Sequence, residues 1–467
     1  MSNYVVSDTN LTAIANKIRS KTGGSSQLEF PTDFVNDIDT LLKPSGTKSI
    51  SQNGTGIDVA SYASVDVNVS GGEEIEPKDV VFIDYDGSII HNYTKAEFLA
   101  LSDMPTNPSH TGLTAQGWNW TLADAKAYVN AHGMLVIGQQ YVTSDGKTKI
   151  YLTIDNPNFL TVQIHCKATD YTALTVNWGD GQSSTMTSAS QYRVEHTYSS
   201  VGDYIVTIEV STGTYYLGYN GSNTSILGGN NATQLYVRKI EIGKDVSQLY
   251  KNVCRYMARL ETITIPKNTL IDSVNEYAFN DCISLKAIVF PVGSNAVANN
   301  IFSDCSSLKI LSYPKWSGSA INANLNINFN RCQRLVMLTA PEAIANSGKT
   351  IDFIFTNFYM KKCVIPFSCE SLASSFLRDC RSLLKFVVPS TVTTIASYAI
   401  SSAVSLQELH MLPTSPPSLN NVNALGGGGS NRIIYIPYSN DHSILNAYQT
   451  ATNWSTYASQ MQEEPQT

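Results

Sequence analysis

The segment Phe279-Asn-Asp-Cys282-Ile-Ser-Leu285-Lys-Ala-Ile288-Val-Phe290-Pro291 decides the fold, because its spacing of apolar residues recurs through the C-terminal half of the chain. Relative to Cys282, apolar residues lie three positions before and three, six and eight positions after. The same pattern surrounds seven anchor residues, 23 to 27 positions apart: Met257, Cys282, Cys305, Cys332, Asn357, Cys380 and Ala403. All 28 flanking residues are apolar. They occupy four positions relative to the anchor, and we call the seven residues at each position an apolar column.

A period of this length is typical of leucine-rich solenoids, whose turns each supply a short strand and bury their apolar side chains against neighbouring turns. Residues 241–425 are therefore predicted to form a solenoid with a ladder of strands. The expected repeat core contains Phe279, Cys282, Leu285, Phe302, Cys305, Leu308, Phe329, Cys332, Leu335, Cys380 and Leu383. The pattern Phe-x-x-Cys-x-x-Leu with a closing Pro resembles the BspA-like leucine-rich repeats of bacterial surface proteins and phage proteins. Asn357 and the shifted Pro413 depart from it, so we expect distortion of the fifth and seventh turns.

Six of the eight cysteines fall on repeat positions, where a small buried thiol fits. They are Cys254, Cys282, Cys305, Cys332, Cys363 and Cys380. This placement favours reduced, buried thiols over disulfides or a metal site. Cys363 and Cys369 are six positions apart without a neighbouring His, which is a poor match to zinc.

Residues 426–467 are predicted to be a C-terminal cap and tail. Ile433-Ile-Tyr-Ile-Pro437 reads as a lone strand, and an amphipathic segment with Trp454 and Tyr457 follows it. Such a segment can cover the last open turn of a solenoid. Gly426-Gly-Gly-Gly-Ser430 is consistent with either an engineered linker or a natural flexible loop.

Residues 151–212 show the pattern of a β-sandwich, with a strand ending in an Asp-Gly turn and a later strand that alternates apolar residues. The order of residues here resembles the motif of PKD domains, which are Ig-like sandwiches of surface and adhesion proteins. The matching stretches are Val176-Asn-Trp178-Gly-Asp-Gly181, His196-Thr-Tyr198 and Gly202-Asp-Tyr204. The resemblance implies structural rather than catalytic roles for Trp178, Gly179, Asp180, Gly181, His196, Tyr198, Gly202 and Tyr204. Residues 213–240 are predicted to be a linker or cap.

Residues 77–150 read as a small α+β module whose helices begin at Thr94 and Thr121. Within it, Val80-Val-Phe-Ile-Asp84-Tyr-Asp86-Gly87 resembles the first motif of haloacid-dehalogenase-type phosphatases, in which the first aspartate attacks phosphorus and the second acts as acid and base. The alternative is a type I′ turn at Asp86-Gly87 that joins two strands. We favour the hairpin, because such a phosphatase would need a much larger doubly wound domain. Asp145-Gly146 is likewise predicted to be a turn between two strands.

The N-terminal region divides into a helical attachment segment, residues 1–44, and a β segment with linker, residues 45–76. Three stretches resemble modules of tail and receptor-binding proteins in phages of Gram-positive bacteria. They are Leu11-Thr-Ala-Ile-Ala-Asn-Lys-Ile-Arg19, Gly54-Thr-Gly-Ile-Asp58 and the stretch from Asn107 to Trp120. The resemblance implies attachment to other virion tail proteins through the N-terminal region. It also implies a location in the phage tail after assembly in the host cytoplasm, which accords with the lack of a recognisable secretory signal.

The whole chain is expected to be multidomain and mainly β, with a non-enzymatic binding function. A formal net charge of -7 without basic runs argues against a nucleic-acid partner, and no stretch is apolar for long enough to insert into a membrane. No set of acids, nucleophiles or metal ligands is arranged on one element, so no catalytic residue, metal or cofactor is assigned. We expect a homo-oligomeric phage tail or fibre-like protein that binds a host-surface glycan or protein; the alternative is a bacterial surface adhesin or protein-interaction protein.

Overall fold

The structure is a computed structural model that describes most of the chain after Ile75. The described residues are 76–169, 173–188, 190–218, 225–228, 231–250, 252–271, 277–292, 301–315, 329, 331–339, 359–365, 369–429 and 431–465. The helical segment and most of the β segment predicted for residues 1–76 lie outside them, and so does Asn357. Residues 77–467 form one compact unit.

A small α+β module begins this unit. Its elements are β1 (Val80–Ile83), β2 (Ile89–Tyr93), α1 (Lys95–Leu99), β3 (Leu113–Trp118), α2 (Leu122–His132) and β4 (Leu135–Thr143). The sheet order is β2-β1-β4-β3, with β1 and β4 parallel. Thr94 and Thr121 accept hydrogen bonds from the backbone N–H groups of Glu97 and Asp124, so both helices begin at the capping residues predicted from the sequence.

The hairpin between β1 and β2 is present, but its turn is not of type I′. That type requires positive φ at both central residues, whereas positive φ is confined to Gly87 among the turn residues. Gly87 N–H donates to Asp84 O and Asp84 N–H donates to Ser88 O, which makes a longer loop with glycine in the left-handed position. Asp145-Gly146 does not close a hairpin of paired strands, because β4 and the following strand belong to different sheets.

Two sheets follow and face each other across a common core. Their strands are β5 (Thr148–Ile154), β6 (Thr161–Ala168), β7 (Leu174–Asn177), β8 (Ser183–Met186), β9 (Arg193–Thr197), β10 (Gly202–Val210), β11 (Tyr215–Leu217), β12 (Leu227–Gly228), β13 (Val237–Glu241), β14 (Val246–Leu249), β15 (Thr262–Thr264) and β16 (Leu270–Ile271), with the short helix α3 (Asn231–Gln234) before β13. One sheet has the order β15-β13-β5-β10-β7-β8; the other has β12-β6-β11-β14-β16, with β9 beside β6. Strands β11 to β13 thus occupy the stretch expected to be a linker, and the first solenoid strands extend both sheets.

The C-terminal half is a β-solenoid, as the repeat predicts. Its front ladder is one parallel sheet of β17 (Ala287–Val289), β18 (Ile310–Ser312), β19 (Met337–Thr339), β20 (Lys362–Val364), β22 (Lys385–Val388), β24 (Glu408–Met411), β26 (Ile433–Ile436) and β27 (Met461–Glu463). A back ladder contains β21 (Ser371–Leu372), β23 (Thr394–Ile395) and β25 (Ser418–Leu419). Backbone hydrogen bonds from Glu261 to Arg238 and from Lys286 to Glu261 connect the front ladder to the preceding sheet.

The apolar columns fill the interior of the solenoid. Their described members are buried, and a single core runs from Ile150 to Met461. Phe279, Phe302 and Phe329 stack on one another along the axis with ring centroids 5.9 and 5.6 Å apart. The position before the anchor has positive φ in six turns, at Tyr256, Asp281, Asp304, Arg331, Asp379 and Ser402. A left-handed residue therefore recurs in the turn as part of its regular geometry.

The last turn is closed by a cap built from β26, α4 (Ser443–Thr450), the 3₁₀ helix Trp454–Gln460 and β27. Trp454 Nε1 donates to Pro417 O at 2.6 Å, and Tyr448 Oη donates to Pro413 O at 2.8 Å. These two bonds tie aromatic side chains of the cap to the backbone of the preceding turn. Within the described part of the chain, no helix is both long and apolar enough to traverse a bilayer.

Candidate functional site

The outward side chains of the front ladder form two rows. In each turn, the residue six positions after the anchor points into the core, while those five and seven positions after it point outward. The first row contains Ala287, Ile310, Met337, Lys362, Lys385, Glu408 and Ile433, and the second contains Val289, Ser312, Thr339, Val364, Val387, His410 and Tyr435. We call these the outer rows. The first row is apolar in the early turns and charged at Lys362, Lys385 and Glu408, and the second row ends in the aromatic pair His410 and Tyr435.

The α+β module covers the early half of the outer rows. Val81, Ile83 and Val136 of its sheet pack against Ala287, Val289, Ile310 and Met337, all of which are buried. Gly138 permits the close approach, because a Cβ there would lie 2.5 Å from a methyl group of Val289. The opposite face of the module's sheet packs on α1 and α2 in a separate small core. The apolar half of the strand face is therefore an internal interface.

Hydrogen bonds centred on Asn119 fix the module on the ladder. The Asn119 side chain donates to Ser312 Oγ at 2.9 Å and accepts from Gly138 N–H at 2.9 Å. Ser312 Oγ also donates to Val136 O at 2.8 Å, and Trp120 Nε1 donates to Tyr313 O at 2.7 Å. All these groups are buried, so each would be costly to leave without a partner.

Two ion pairs lie at the edges of the same interface. Lys315 Nζ is 2.6 Å from Asp124 Oδ1, and Lys362 Nζ is 3.0 Å from Asp79 Oδ1. The hydrogen bond from Lys315, followed by that from Thr121, lowers the pKa of Asp124. Burial alone would raise the pKa of Asp79, but hydrogen bonds from the backbone of Lys95 and the side chain of Lys362 lower it.

The later half of the outer rows carries polar groups that are partly exposed. Lys385 Nζ lies 2.9 Å from Glu408 Oε2, and the two side chains are 52% and 42% exposed. His410 lies between carboxylates, with Nε2 3.1 Å from Glu408 Oε2 and Nδ1 2.5 Å from Glu464 Oε1. Its ring stacks on that of Tyr435 at 4.5 Å. This surface, β22 to β27, lies beyond the ladder residues that the module buries, so we call it the open face.

The two aspartates of the phosphatase-like motif take part in the turn. Asp84 is buried, and its carboxylate accepts from Tyr85 N–H at 2.8 Å and lies 2.6 Å from His110 Nε2. Asp86 Oδ1 accepts from Ser88 N–H at 2.9 Å and so holds the same loop. These contacts supply a structural role for both residues, and the proximity of His110 was not predicted from the sequence.

The motif residues of the sandwich come together around Trp178. His196 Nε2 lies 2.6 Å from Asp180 Oδ2, and the His196 ring stacks on Trp178 at 5.1 Å. Tyr198 Oη donates to Trp178 O at 2.8 Å. Gly179 has φ of +83°, and a Cβ there would lie 2.7 Å from a backbone oxygen of Ile205, so glycine is required. Gly181 has positive φ in the same turn. Gly202 begins β10, and the Tyr204 ring lies 4.1 Å from that of Tyr198.

All eight cysteines are buried, and none of them forms a disulfide. Burial raises the pKa of the Cys282 and Cys305 thiols well above the usual value, so both are protonated and unreactive at neutral pH. Among the residues that the structure describes, no group of three or more His, Cys, Asp or Glu side chains is placed to hold a metal ion.

Comparison with known proteins agrees with the repeat geometry. The model of the BspA type leucine rich repeat region matches residues 247–349 and 319–421 with six copies. The solenoid therefore consists of BspA-type leucine-rich repeats, as the sequence pattern predicts. No curated protein matches the chain.

Two solved structures are similar to this chain. A leucine-rich repeat protein from Bacteroides ovatus is 17% identical with a TM-score of 0.29, and the match covers 50% of this chain and 61% of that protein. A leucine rich cell surface protein from Faecalibacterium prausnitzii is 15% identical with a TM-score of 0.22, and the match covers 51% of this chain and 94% of that protein.

Proposed function

We propose that this chain is a non-enzymatic protein-interaction or adhesion protein of the bacterial surface. The observation that carries the proposal is the run of BspA-type repeats whose strand face is partly left open. Stacked repeats build an extended surface, which is the feature that solenoid proteins use for binding. The match of the repeats favours this function, which was the alternative from the sequence, over the phage-tail role that the sequence led us to expect.

The open face is the binding surface that we assign to the solenoid. It combines the half-buried Ile433 and Tyr435 with the charged side chains of Lys385 and Glu408. Aromatic groups surrounded by polar side chains are typical of protein-binding surfaces. The early half of the strand face cannot serve in this way while the module covers it.

The sandwich supports the same proposal at a finer level. We propose that residues 151–212 are a PKD-like domain, because the eight motif residues cluster around Trp178 as that resemblance implies. In this assignment Asp180 and His196 hold the turn and have no catalytic role. The sandwich would then position the solenoid and close its first turn.

A phage tail or fibre-like component is the second candidate, and the motifs quoted from residues 1–150 favour it. In that role the N-terminal region would join other virion proteins, the chain would form a homo-oligomer, and the open face would bind a host-surface glycan or protein. Neither role involves nucleic acid or insertion into a membrane.

Attachment of the purified full chain to cells tests the proposal. Labelled protein should bind the surface of a bacterial or host cell type, and Tyr435→Ala combined with Lys385→Ala should reduce that binding. Tyr398→Ala is a matched control, because Tyr398 is an exposed tyrosine outside the front ladder. Unchanged attachment of the double variant would contradict the assignment of the open face, and the absence of binding to every cell type would contradict the proposed function.

A further inference from the structure

A carboxylate of the chain itself occupies part of the open face. Glu464 follows the edge strand β27, and its N–H group donates to Ile436 O at 2.8 Å, which extends the pairing of β27 with β26 by one residue. Its side chain reaches His410 on β24, two strands away, where Oε1 lies 2.5 Å from Nδ1 of the ring. The Glu464 carboxylate therefore lies in the middle of the open face.

His410 is held in an orientation that suits a carboxylate at this position. Its Nε2 lies 3.1 Å from Glu408 Oε2, and its ring stacks on that of Tyr435 with centroids 4.5 Å apart. These two contacts fix the plane of the imidazole and direct Nδ1 toward Glu464. Carboxylates only accept hydrogen bonds, so each of these contacts uses a ring nitrogen as the donor. His410 thus presents an N–H donor to an anionic group.

The neighbouring strands repeat this arrangement in the first outer row. Lys385 Nζ on β22 lies 2.9 Å from Glu408 Oε2, and Lys362 Nζ on β20 lies 3.0 Å from Asp79 Oδ1 at the border of the module. Lys362 and Lys385 are in register with each other. The hydrogen bond from His410, followed by that from Lys385, lowers the pKa of Glu408. Three successive strands therefore each present a basic side chain in contact with a carboxylate of the chain.

We propose that Glu464 stands in for a carboxylate of the partner, and that the open face binds an acidic polypeptide segment that displaces it. Replacing one carboxylate by another leaves the donor of His410 satisfied, so the exchange leaves no unpaired polar group. Val387, Ile433 and Tyr435 are half-buried beside the charged groups. These apolar surfaces suit the side chains of a polypeptide better than the hydroxyl groups of an acidic polysaccharide.

This inference rests on the proposed function, because it names the class of partner that the open face binds. While Glu464 occupies His410, the apparent affinity for a partner is reduced by the fraction of chains in which the site is free. His410 and Glu464 are 14% and 29% exposed, so water still screens their attraction. We expect the internal contact to weaken partner binding by about two- to fivefold.

Fluorescence anisotropy of a labelled short peptide of alternating serine and glutamate, titrated with the full chain, tests the inference. Glu464→Ala should bind this peptide about two- to fivefold more tightly than the unmodified chain, and adding His410→Ala should abolish the gain. The same peptide with glutamine in place of glutamate should not bind. Glu463→Ala is the matched control without a gain, because the Glu463 carboxylate contacts His442 of the cap at 2.8 Å. If circular dichroism shows that Glu464→Ala is unfolded, Glu464→Gln replaces it.

Equal affinity of the Glu464 variant and the unmodified chain would overturn the inference. A gain of the same size in Glu463→Ala would do so as well, because loosening of the cap would then explain it. Binding of polygalacturonate but not of the peptide would overturn the choice of a polypeptide. Cell attachment separates this inference from the proposed function. If cells bind through Tyr435 and Lys385 while no variant binds the peptide, only the inference fails. If the peptide binds as expected but the chain attaches to no cell, only the proposed function fails.

Discussion

Cysteine at the repeat anchor can be explained by one hydrogen bond per turn. The thiol of Cys305 donates to Phe279 O at 3.0 Å, and that of Cys332 donates to Phe302 O at 2.8 Å. Cys282 makes the equivalent bond to Cys254 O at 3.0 Å. Each acceptor is a buried carbonyl in the preceding turn, so a small side chain that is apolar in volume and still donates a hydrogen bond suits this position.

Replacing Cys305 by alanine should therefore destabilise the chain by about 1 to 3 kcal/mol, because Phe279 O loses its donor and a small cavity forms. Chemical denaturation followed by circular dichroism measures this difference. Cys166→Ala is the control for loss of a buried thiol outside the repeats. An effect of Cys305→Ala no larger than that of the control would show that the thiol acts only by its volume.

The four-glycine loop after the last repeat also has a residue-level explanation. Gly427 has φ of +67°, and a Cβ on Gly428 would lie 2.3 Å from Arg432 Nη1. Arg432 is buried and donates to Leu425 O at 3.0 Å. The loop is thus packed around a buried guanidinium. A flexible linker, whether engineered or natural, would not require glycine at these positions. The contact of the loop with Arg432 depends on the folded geometry, so the composition of the loop could not predict it.

At the scale of elements, the module and the front ladder depend on each other. The repeat predicts the inward columns, since they recur regardless of what lies outside the solenoid. It does not predict the module's position, because Ala287, Val289 and Ile310 occupy outward positions that vary between turns. Their apolar character was a signal available in the sequence, since exposed strand faces are usually polar. The hydrogen bonds of Asn119, nearly two hundred residues away, have no comparable signal.

Asn119→Ala should loosen the module by about 1 to 3 kcal/mol, because the buried Gly138 N–H is left without its acceptor and Ser312 Oγ loses a donor. Limited proteolysis should then cut first near residues 144–147, which connect the module to β5. Asn130→Ala changes an exposed asparagine on α2 and serves as the control. Equal protease resistance of the two variants would contradict the role given to Asn119.

The edge ion pairs make docking of the module sensitive to acid. The pKa values of Asp79 and Asp124 are lower in the folded chain, so their stabilisation is present above the unfolded pKa of 3.8 and is lost as pH falls through the folded values. Because these side chains are partly exposed, each pair should contribute no more than about 1 kcal/mol.

Asp124→Asn should remove part of this acid sensitivity when urea unfolding is compared between neutral pH and about pH 3. Asp103→Asn is the control, because Asp103 is an exposed aspartate of the module whose carboxylate accepts a hydrogen bond from the neighbouring Ser102. An unfolding free energy of Asp124→Asn that falls with acid as much as that of the unmodified chain would contradict the contribution of the Asp124–Lys315 pair.

At the scale of the molecule, the sandwich and the solenoid are one folding unit. Strand β13 pairs with β5 of the sandwich on one side and with β15 of the first turns on the other. The core shared by these strands continues to the C-terminal cap at Met461. The sequence suggests separate domains, because the motif of the sandwich and the period of the repeats are separated by a polar stretch. Long-range strand pairing across that stretch is what joins them.

This continuity predicts how far damage in the middle of the solenoid should spread. Leu308 is fully buried, so Leu308→Ala should cost about 2 to 5 kcal/mol. Amide exchange should quicken first in β17 to β19, since each turn contacts mainly its neighbours. Because the sandwich shares its sheet and core with the first turns, exchange in β10 should quicken as well. Leu99→Ala in the module's separate core is the control and should leave β10 unchanged. If exchange in β10 is unaltered by Leu308→Ala, the sandwich and the solenoid unfold independently despite their common core.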